Sequence, residues 1–96
     1  RPGTSEYQTG LCADLHNMDE ADITFGGTAE GQWLAENCWK FGFIVRYPIN
    51  KTTVTGTAYQ PWHFRFVGRY HAARIHESGL CLEEYTAKLE EEGYFD

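Results

Sequence analysis

The sequence predicts an α+β domain in which helices cover a small antiparallel sheet. Three observations support this class. Several segments have helical start and stop signals, with a capping residue before them and a glycine after them. Short runs of β-branched and aromatic residues, bounded by Gly or Pro, alternate with those segments. The later strands also follow one another at hairpin spacing, which favours antiparallel pairing.

The first helix is predicted from Thr28, whose hydroxyl can cap a helix N-terminus, to about Lys40, with Gly42 as its terminator. Its apolar stripe would consist of Ala29, Trp33, Leu34, Cys38 and Phe41. The segment before it, with Asp19, Glu20 and Asp22 followed by Gly26-Gly27, is predicted to be an exposed loop.

Two further helices are predicted near the C-terminus. One covers Gly68 to Ser78 and ends at Gly79. The other covers Leu82 to Glu92, and its buried face would consist of Leu82, Tyr85 and Leu89. Cys81 falls at the cap position of this last helix in place of a strongly capping Thr, which predicts a weaker start.

Four strands are predicted, with a turn at Ile49–Thr52: Thr9–Leu15, Phe43–Tyr47, Thr53–Ala58 and His63–Val67. Pro48 would stop the second strand. Because side chains alternate across a strand, Cys12, Asp14 and His16 would share one face of the first.

Composition excludes several functions. The 96 residues are predicted to form one domain, 1–96, with a modest core. The net charge of −6 and the lack of a basic stripe argue against a nucleic-acid partner. No apolar run approaches the length of a membrane span, and no signal-peptide pattern is present, so an export signal would lie outside this sequence. Cys12, Cys38 and Cys81 lack Cys-x-x-Cys spacing, which predicts buried free thiols.

Two segments carry candidate chemistry: Ser5-Glu6-Tyr7-Gln8-Thr9-Gly10-Leu11-Cys12-Ala13-Asp14 and Gln60-Pro61-Trp62-His63. Together they resemble the VanY-type D-alanyl-D-alanine carboxypeptidases, zinc enzymes that trim bacterial cell-wall peptides. The family pattern is Ser-x-His-x-x-Gly-x-Ala-x-Asp followed by Glu-x-x-His. The family order also extends over Gly42–Pro48, Thr55-Gly56, Tyr59–Gly68 and Leu82–Tyr85. The resemblance implies a zinc D,D-carboxypeptidase-like fold that lacks the family's usual N-terminal helical segment.

The resemblance also implies a metal site. The family's His, Asp and His ligands match Tyr7, Asp14 and His63, so one imidazole is replaced by a phenol. A phenol with a pKa of about 10 is a poor zinc ligand near neutral pH. Zinc is therefore expected to be absent or weakly bound. Cys12, where the family has Ala, could supply a replacement thiolate, although a small core residue is the simpler interpretation.

Gln60 occupies the position of the family's general-base Glu, and an amide cannot take a proton in the working pH range. By resemblance, Ser5, Arg46 and Arg65 could position a peptide carboxylate and Trp62 could line the cleft, but both arginines could equally form structural ion pairs. His71 also occurs in related sequences without a role that can be derived, and a metal role for His76 is not favoured.

Three functions follow from these residues. The first is a catalytically impaired or inactive relative that binds peptidoglycan stem peptides, D-Ala-D-Ala-like peptides or a protein partner. The alternative is an active zinc metallopeptidase with Cys12, Asp14 and His63 as ligands. The third is a structural fragment of a longer protein. The resemblance places the chain in the bacterial cell envelope or outside the cell, and the motif pair predicts that Asp14 and His63 lie close together.

Overall fold

The computed structural model describes residues 12–15 and 22–93. Its sheet has three strands in the order β1-β3-β2, with β1 at Cys12–Asp14, β2 at Phe43–Tyr47 and β3 at Gln60–Phe66. The central strand β3 pairs antiparallel with both neighbours. The predicted α+β class and antiparallel sheet are therefore confirmed, and the predicted bounds of β2 match the structure.

Four α-helices and two short 3-10 helices surround the sheet in the described part of the chain. The α-helices are α1 (Ala29–Asn37), α2 (Thr52–Thr55), α3 (Arg69–Ser78) and α4 (Leu82–Glu91), and the 3-10 helices are Ile23–Gly27 and Cys38–Phe41. Gly42 and Gly79 adopt left-handed φ angles of 89° and 73°, as expected for helix terminators.

None of the helices in 22–93 has the length and apolar character needed to cross a membrane.

The start of α1 follows the sequence prediction. The Thr28 hydroxyl accepts a hydrogen bond from the Gly31 N–H at 3.0 Å and donates one to the Phe25 carbonyl at 2.7 Å. A side chain at Gly31 would collide with the Phe25 carbonyl, so glycine permits close contact between the two backbones here.

The predicted apolar stripe of the first helix is wrong in most of its members. Trp33 and Phe41 are 54% and 59% exposed, and Ala29 is also exposed, whereas Cys38 is buried. The reason is the close approach at Gly31, which turns the face carrying Gly31 and Cys38 toward the protein.

The predicted loop before α1 is also corrected. Its described part forms the 3-10 helix Ile23–Gly27, whose first turn is capped by the Asp22 carboxylate accepting from the Thr24 N–H at 2.8 Å. This bond holds the pKa of Asp22 below its usual value. Phe25, inside the segment, is only 1% exposed. The segment therefore supplies a core residue, while Asp19 and Glu20 lie outside the described residues.

The predicted strand at Thr53–Ala58 is wrong, because the segment begins with helix α2 and then turns. The N–H groups of Val54 and Thr55 donate to the Lys51 carbonyl at 3.0 and 2.9 Å. Gly56 then ends the turn with a φ of 75°. Local hydrogen bonds and the glycine outweigh the strand propensity of the β-branched residues.

The main hydrophobic cluster lies where α3 and α4 pack against β2, and it consists of Ile44, Ala72, Ile75, Tyr85 and Leu89. Leu82 packs against it, so the predicted buried face of the last helix is confirmed. The start of α4 is better stabilised than the cysteine suggests. The Glu84 carboxylate accepts from the Cys81 N–H at 3.0 Å and also pairs with Lys51 at 2.9 Å.

Candidate functional site

The pairing of β1 with β3 brings the two best-matched motif residues together. Asp14 stands directly opposite His63 in the register, so both side chains lie on the same sheet face. The Asp14 Oδ1 and His63 Nδ1 atoms are 4.0 Å apart. His63 is 3% exposed, while Asp14 reaches solvent. The expectation that these residues lie close together is confirmed.

An irregularity in β3 shapes the strand beside this pair. Val45 pairs with Phe64 and Tyr47 pairs with Gln60, so one β2 residue stands opposite the three β3 residues Pro61 to His63. Such a bulge bends the strand and redirects its side chains, and Pro61, which lacks an N–H, is suited to it.

Because of the bulge, Tyr47 is a neighbour of both Gln60 and His63. In a regular strand, residues three apart would point to opposite faces. Here the Tyr47 ring lies 5.1 Å from the His63 ring in an edge-to-face arrangement, and the Tyr47 backbone is paired with Gln60. The backbone of Gln60, which is predicted to stand at the general-base position, is therefore paired with the aromatic neighbour of His63.

The two candidate carboxylate-binding arginines have different surroundings. Arg46 makes a two-pronged ion pair with Glu83 on α4, with both N···O distances at 2.9 Å, and its side chain is 12% exposed. The sequence left open whether Arg46 binds a peptide carboxylate or forms a structural ion pair, and the structure shows the ion pair. Arg65 is half-buried on β3, two residues beyond His63 and opposite Ile44, which places it on the face of His63 and Asp14.

Several predicted site residues lie outside what the structure describes. Ser5, Tyr7 and His16 are not among the described residues. For Cys12 only the backbone position is defined, opposite Arg65 and two residues before Asp14 on β1. Trp62 is half-buried, and its carbonyl accepts from the Leu15 N–H at 2.9 Å, while its contribution to a cleft stays a prediction.

The remaining histidines lie against aromatic residues of the helical layer. His71 Nδ1 is 2.5 Å from the Tyr85 hydroxyl, which ties α3 to α4. The His76 ring stacks on Trp39 at 4.8 Å. Sequence reasoning gave no role for His71, because its partner stands 14 residues away on the next helix.

Cys38 and Cys81 are buried free thiols, as predicted. Burial raises the pKa of the Cys38 thiol to about 11 and also raises the pKa of Cys81. Neither thiol is activated, so neither is a candidate nucleophile or metal ligand.

Asp14 and His63 supply two donor types that zinc accepts, but their spacing is wider than in a formed site. Ligands about 2 Å from a tetrahedral zinc lie roughly 3.3 Å apart. The 4.0 Å between the carboxylate and imidazole atoms would therefore have to shorten on metal binding. A catalytic zinc needs about three protein ligands. Residues 12–15 and 22–93 contain no cluster of three His, Cys, Asp or Glu side chains able to hold a metal. The described donors thus do not make a complete zinc site.

An antiparallel sheet that pairs the Asp of one motif with the His of another is consistent with a carboxypeptidase-like domain, and the comparisons with known proteins give the same class. The chain matches the family described as "VanY: D-alanyl-D-alanine carboxypeptidase" over residues 1–69 and belongs to this family. It is 51% identical over 84 residues to a D-alanyl-D-alanine carboxypeptidase of Enterococcus faecalis, covering 88% of this chain and 30% of the relative.

Solved structures agree with this assignment. The LdcB LD-carboxypeptidase, described for its peptidoglycan recognition, aligns with a TM-score of 0.86 at 47% identity, covering 91% of this chain and 42% of that one. VanYB in complex with D-alanine-D-alanine gives 0.75 at 48%, covering 90% and 46%. A variant of the D,D-pentapeptidase VanY with Zn(II) gives 0.73 at 49%, covering 88% and 46%.

The chain spans about a third of the length of the curated relatives that it matches first, with values of 33%, 30% and 29%.

Proposed function

We propose that this domain binds the carboxyl-terminal end of peptidoglycan stem peptides or D-Ala-D-Ala-like peptides and is impaired or inactive in their hydrolysis. The observation that carries the proposal is the residue beside the Tyr47–His63 contact, which is the amide Gln60. By the family pattern Gln60 stands where the general base would be, and its amide lacks the group that would accept a proton.

The amide limits chemistry more than binding. A general base needs a lone pair with a pKa near the working pH, which an amide does not have. Gln60 can still donate and accept hydrogen bonds, so it can contact a bound peptide or water. Loss of a general base typically lowers a rate by about 10²–10⁴-fold.

The donor set supports the same proposal. A zinc-bound water supplies the attacking hydroxide in zinc peptidases, and the metal needs ligands able to hold it at neutral pH. Asp14 and His63 offer two such donors, and the third motif position is Tyr7, a phenol. Resident zinc is therefore proposed to be absent or weakly bound.

Arg65 is the proposed receptor for the peptide carboxylate. It shares the sheet face of His63 and Asp14, and its guanidinium can form two parallel hydrogen bonds with a carboxylate. Ser5 and Trp62 are proposed as further peptide contacts on the strength of the family motifs in which they stand. An acidic chain that binds such a ligand must offer a local positive charge, and Arg65 provides one.

The family's peptidoglycan-related members suggest where the domain acts. Because its proposed ligand is a cell-wall peptide, we place the domain outside the cytoplasmic membrane, in the bacterial cell envelope or secreted.

Titration calorimetry with a synthetic stem peptide ending in D-Ala-D-Ala tests the binding. The C-terminal amide of the same peptide is the ligand control. We expect the acid to bind and the amide to bind more weakly. Arg65→Gln should weaken binding of the acid by roughly 10–100-fold, which corresponds to about 1.5–3 kcal/mol for hydrogen bonds to a charged group.

Arg69→Gln is the matched protein control, because Arg69 is exposed at the start of α3. It should leave the affinity unchanged. Equal affinities for acid and amide would contradict the proposal, and so would zinc-dependent cleavage of the peptide at a rate typical of active family members.

The alternative function is an active zinc metallopeptidase with Cys12, Asp14 and His63 as ligands. The strand register favours it, because Cys12 stands two residues before Asp14 on β1. In this case the purified protein would contain stoichiometric zinc, and Cys12→Ala would lose it. Retention of zinc by Cys12→Ala would exclude Cys12 as a ligand.

A further inference from the structure

Two ion pairs connect the first turn of α4 with the end of β2 and the segment that follows it. Glu83 holds Arg46, and the adjacent Glu84 holds Lys51, each at 2.9 Å. Tyr47 lies between the two tethered positions. The helix therefore fixes the part of the chain that carries the aromatic neighbour of His63.

Arg46 has a second contact that Lys51 does not share. Its guanidinium carbon lies 4.7 Å from the centroid of the Tyr47 ring, within the range of a cation–π interaction. The Tyr47 ring in turn makes an edge-to-face contact with the His63 ring, with the centroids 5.1 Å apart. A continuous series of contacts thus runs from Glu83 through Arg46 and Tyr47 to His63.

The geometry points to Arg46 as a positioning residue: held by Glu83, it fixes the Tyr47 ring and thereby sets the orientation of the His63 imidazole beside Asp14. This inference adds a residue to the ligand-binding site of the proposed function and rests on that function for its purpose. The burial of Arg46 supports it, because a half-buried, two-pronged ion pair has a well-defined geometry that an exposed pair lacks.

The inference separates the two arginines. Arg65 is proposed to meet the ligand, whereas Arg46 acts through Tyr47. A residue that contributes only stability would affect unfolding without moving His63 in the folded protein. The orientation of the His63 ring is therefore the quantity to measure, and it needs neither metal nor substrate.

Aromatic ¹H–¹³C NMR spectra of the folded protein provide this measurement. The chain has four histidines, and His63→Gln assigns the His63 cross-peaks by their loss. Because these protons lie beside the Tyr47 ring, their chemical shifts report ring position. We expect Arg46→Gln to shift the His63 cross-peaks toward those of Tyr47→Leu, in which the ring is removed.

Lys51→Gln is the matched control, because it removes the neighbouring ion pair of the same helix turn without touching Tyr47. Its His63 cross-peaks should coincide with those of the unmodified protein. Tyr47→Phe, which keeps the ring, should also leave them nearly in place.

A charge exchange distinguishes positioning from ion pairing alone. Arg46→Glu combined with Glu83→Arg restores the pair but moves the guanidinium away from its place over Tyr47. We expect thermal stability to recover relative to either single change while the His63 cross-peaks stay displaced.

Unshifted His63 cross-peaks in folded Arg46→Gln would overturn the inference, as would their full return in the exchanged pair. If Arg46→Gln does not fold, Glu83→Gln keeps the guanidinium but releases it, and the same cross-peaks decide. A failure to bind stem peptide would contradict the proposed function alone and would leave the His63 result unaffected.

Discussion

One face of the sheet is divided into two regions that differ in what their residues do. On the β2 side, Ile44 is buried under α3 and α4 in an apolar cluster. Directly opposite Ile44 in the register stands Arg65, and the same face continues to His63 and Asp14. The first region is closed by packing. The second contains ionisable side chains, of which Asp14 reaches solvent, Arg65 is half-buried and His63 is buried.

The two regions tolerate different changes. In the packed region a lost methylene group leaves a cavity, so the residues must keep their size and apolar character. Among the motif positions, Gln60 is an amide where a general base is expected, and Tyr7, outside the described residues, is a phenol where an imidazole is expected. The pairing of β1 with β3 is nevertheless intact. The fold and the proposed loss of catalysis are therefore compatible, because function depends on the site and not on the fold.

The largest expected effect comes from rebuilding the site region. Tyr7→His combined with Gln60→Glu restores the family's groups around Asp14 and His63. We expect zinc-dependent release of D-alanine from a D-Ala-D-Ala peptide, with the base alone contributing about 10²–10⁴-fold in rate. Mass spectrometry of the products with and without added zinc measures it.

The single changes are the controls for this experiment. Tyr7→His should raise zinc affinity with little turnover, and Gln60→Glu should give little of either. The effects should be non-additive, since these groups act as a unit. An inactive double variant that binds zinc would show that other parts of the site have also changed.

Phe64→Ala should have the next largest effect, and it tests the packed framework. Phe64 is fully buried on the central strand, and truncation of such a residue costs about 3–5 kcal/mol. This is a large share of the ~5–15 kcal/mol that stabilises a typical domain. Denaturant unfolding of the variant should show a strongly reduced midpoint.

Phe66 provides the matched comparison for Phe64, because it lies on the same strand but is 43% exposed. Phe66→Ala should cost clearly less, even though its ring contacts Phe43 edge-to-face. Equal losses in the two variants would mean that burial does not determine the stability of β3.

Sequence patterns predicted well where one local rule acts alone. Strand β2, the glycine terminators and the buried face of α4 follow from periodicity and backbone conformation. The motif pair predicted the proximity of Asp14 and His63 across the sheet, but this came from family resemblance and not from local pattern.

The failures have a common physical cause. Specific hydrogen bonds, backbone contacts and ion pairs outweigh the secondary-structure propensity and hydrophobic periodicity of the individual residues. Helix α2 forms from β-branched residues because hydrogen bonds to Lys51 and a glycine stop outweigh strand propensity. The burial of Phe25 and the position of α1 depend on the backbone contact at Gly31. The Arg46–Glu83 pair joins residues 37 apart, and no local pattern could select Glu83 among fourteen acids.

A smaller effect is expected at the buried thiol of the framework. Burial raises the pKa of Cys38 from 9.0 to about 11, so the thiolate fraction at pH 8 falls about 100-fold for a shift of two pH units. In a Cys12→Ala/Cys81→Ala variant, a thiol reagent should react with Cys38 at least this much more slowly in the folded than in the denatured protein. Rapid reaction in the folded variant would show that the thiol is accessible.

The smallest expected effect lies at the Lys51–Glu84 ion pair, which connects α4 with the segment that follows β2. Hydrogen bonds from Lys51 and from the Cys81 N–H lower the pKa of Glu84 from 4.5 to about 2. A carboxyl group with a lowered folded-state pKa contributes stability above its unfolded pKa and loses it as the pH falls through the folded value.

Melting temperatures measured between about pH 5 and pH 2 should therefore fall more steeply for the unmodified protein than for Glu84→Gln. Glu90→Gln, an exposed change on the same helix, should follow the unmodified protein. Since both side chains of the pair are partly accessible to solvent, added salt should reduce the difference between Glu84→Gln and the unmodified protein. Identical acid profiles for these two proteins would show that the Lys51–Glu84 pair does not stabilise the start of α4.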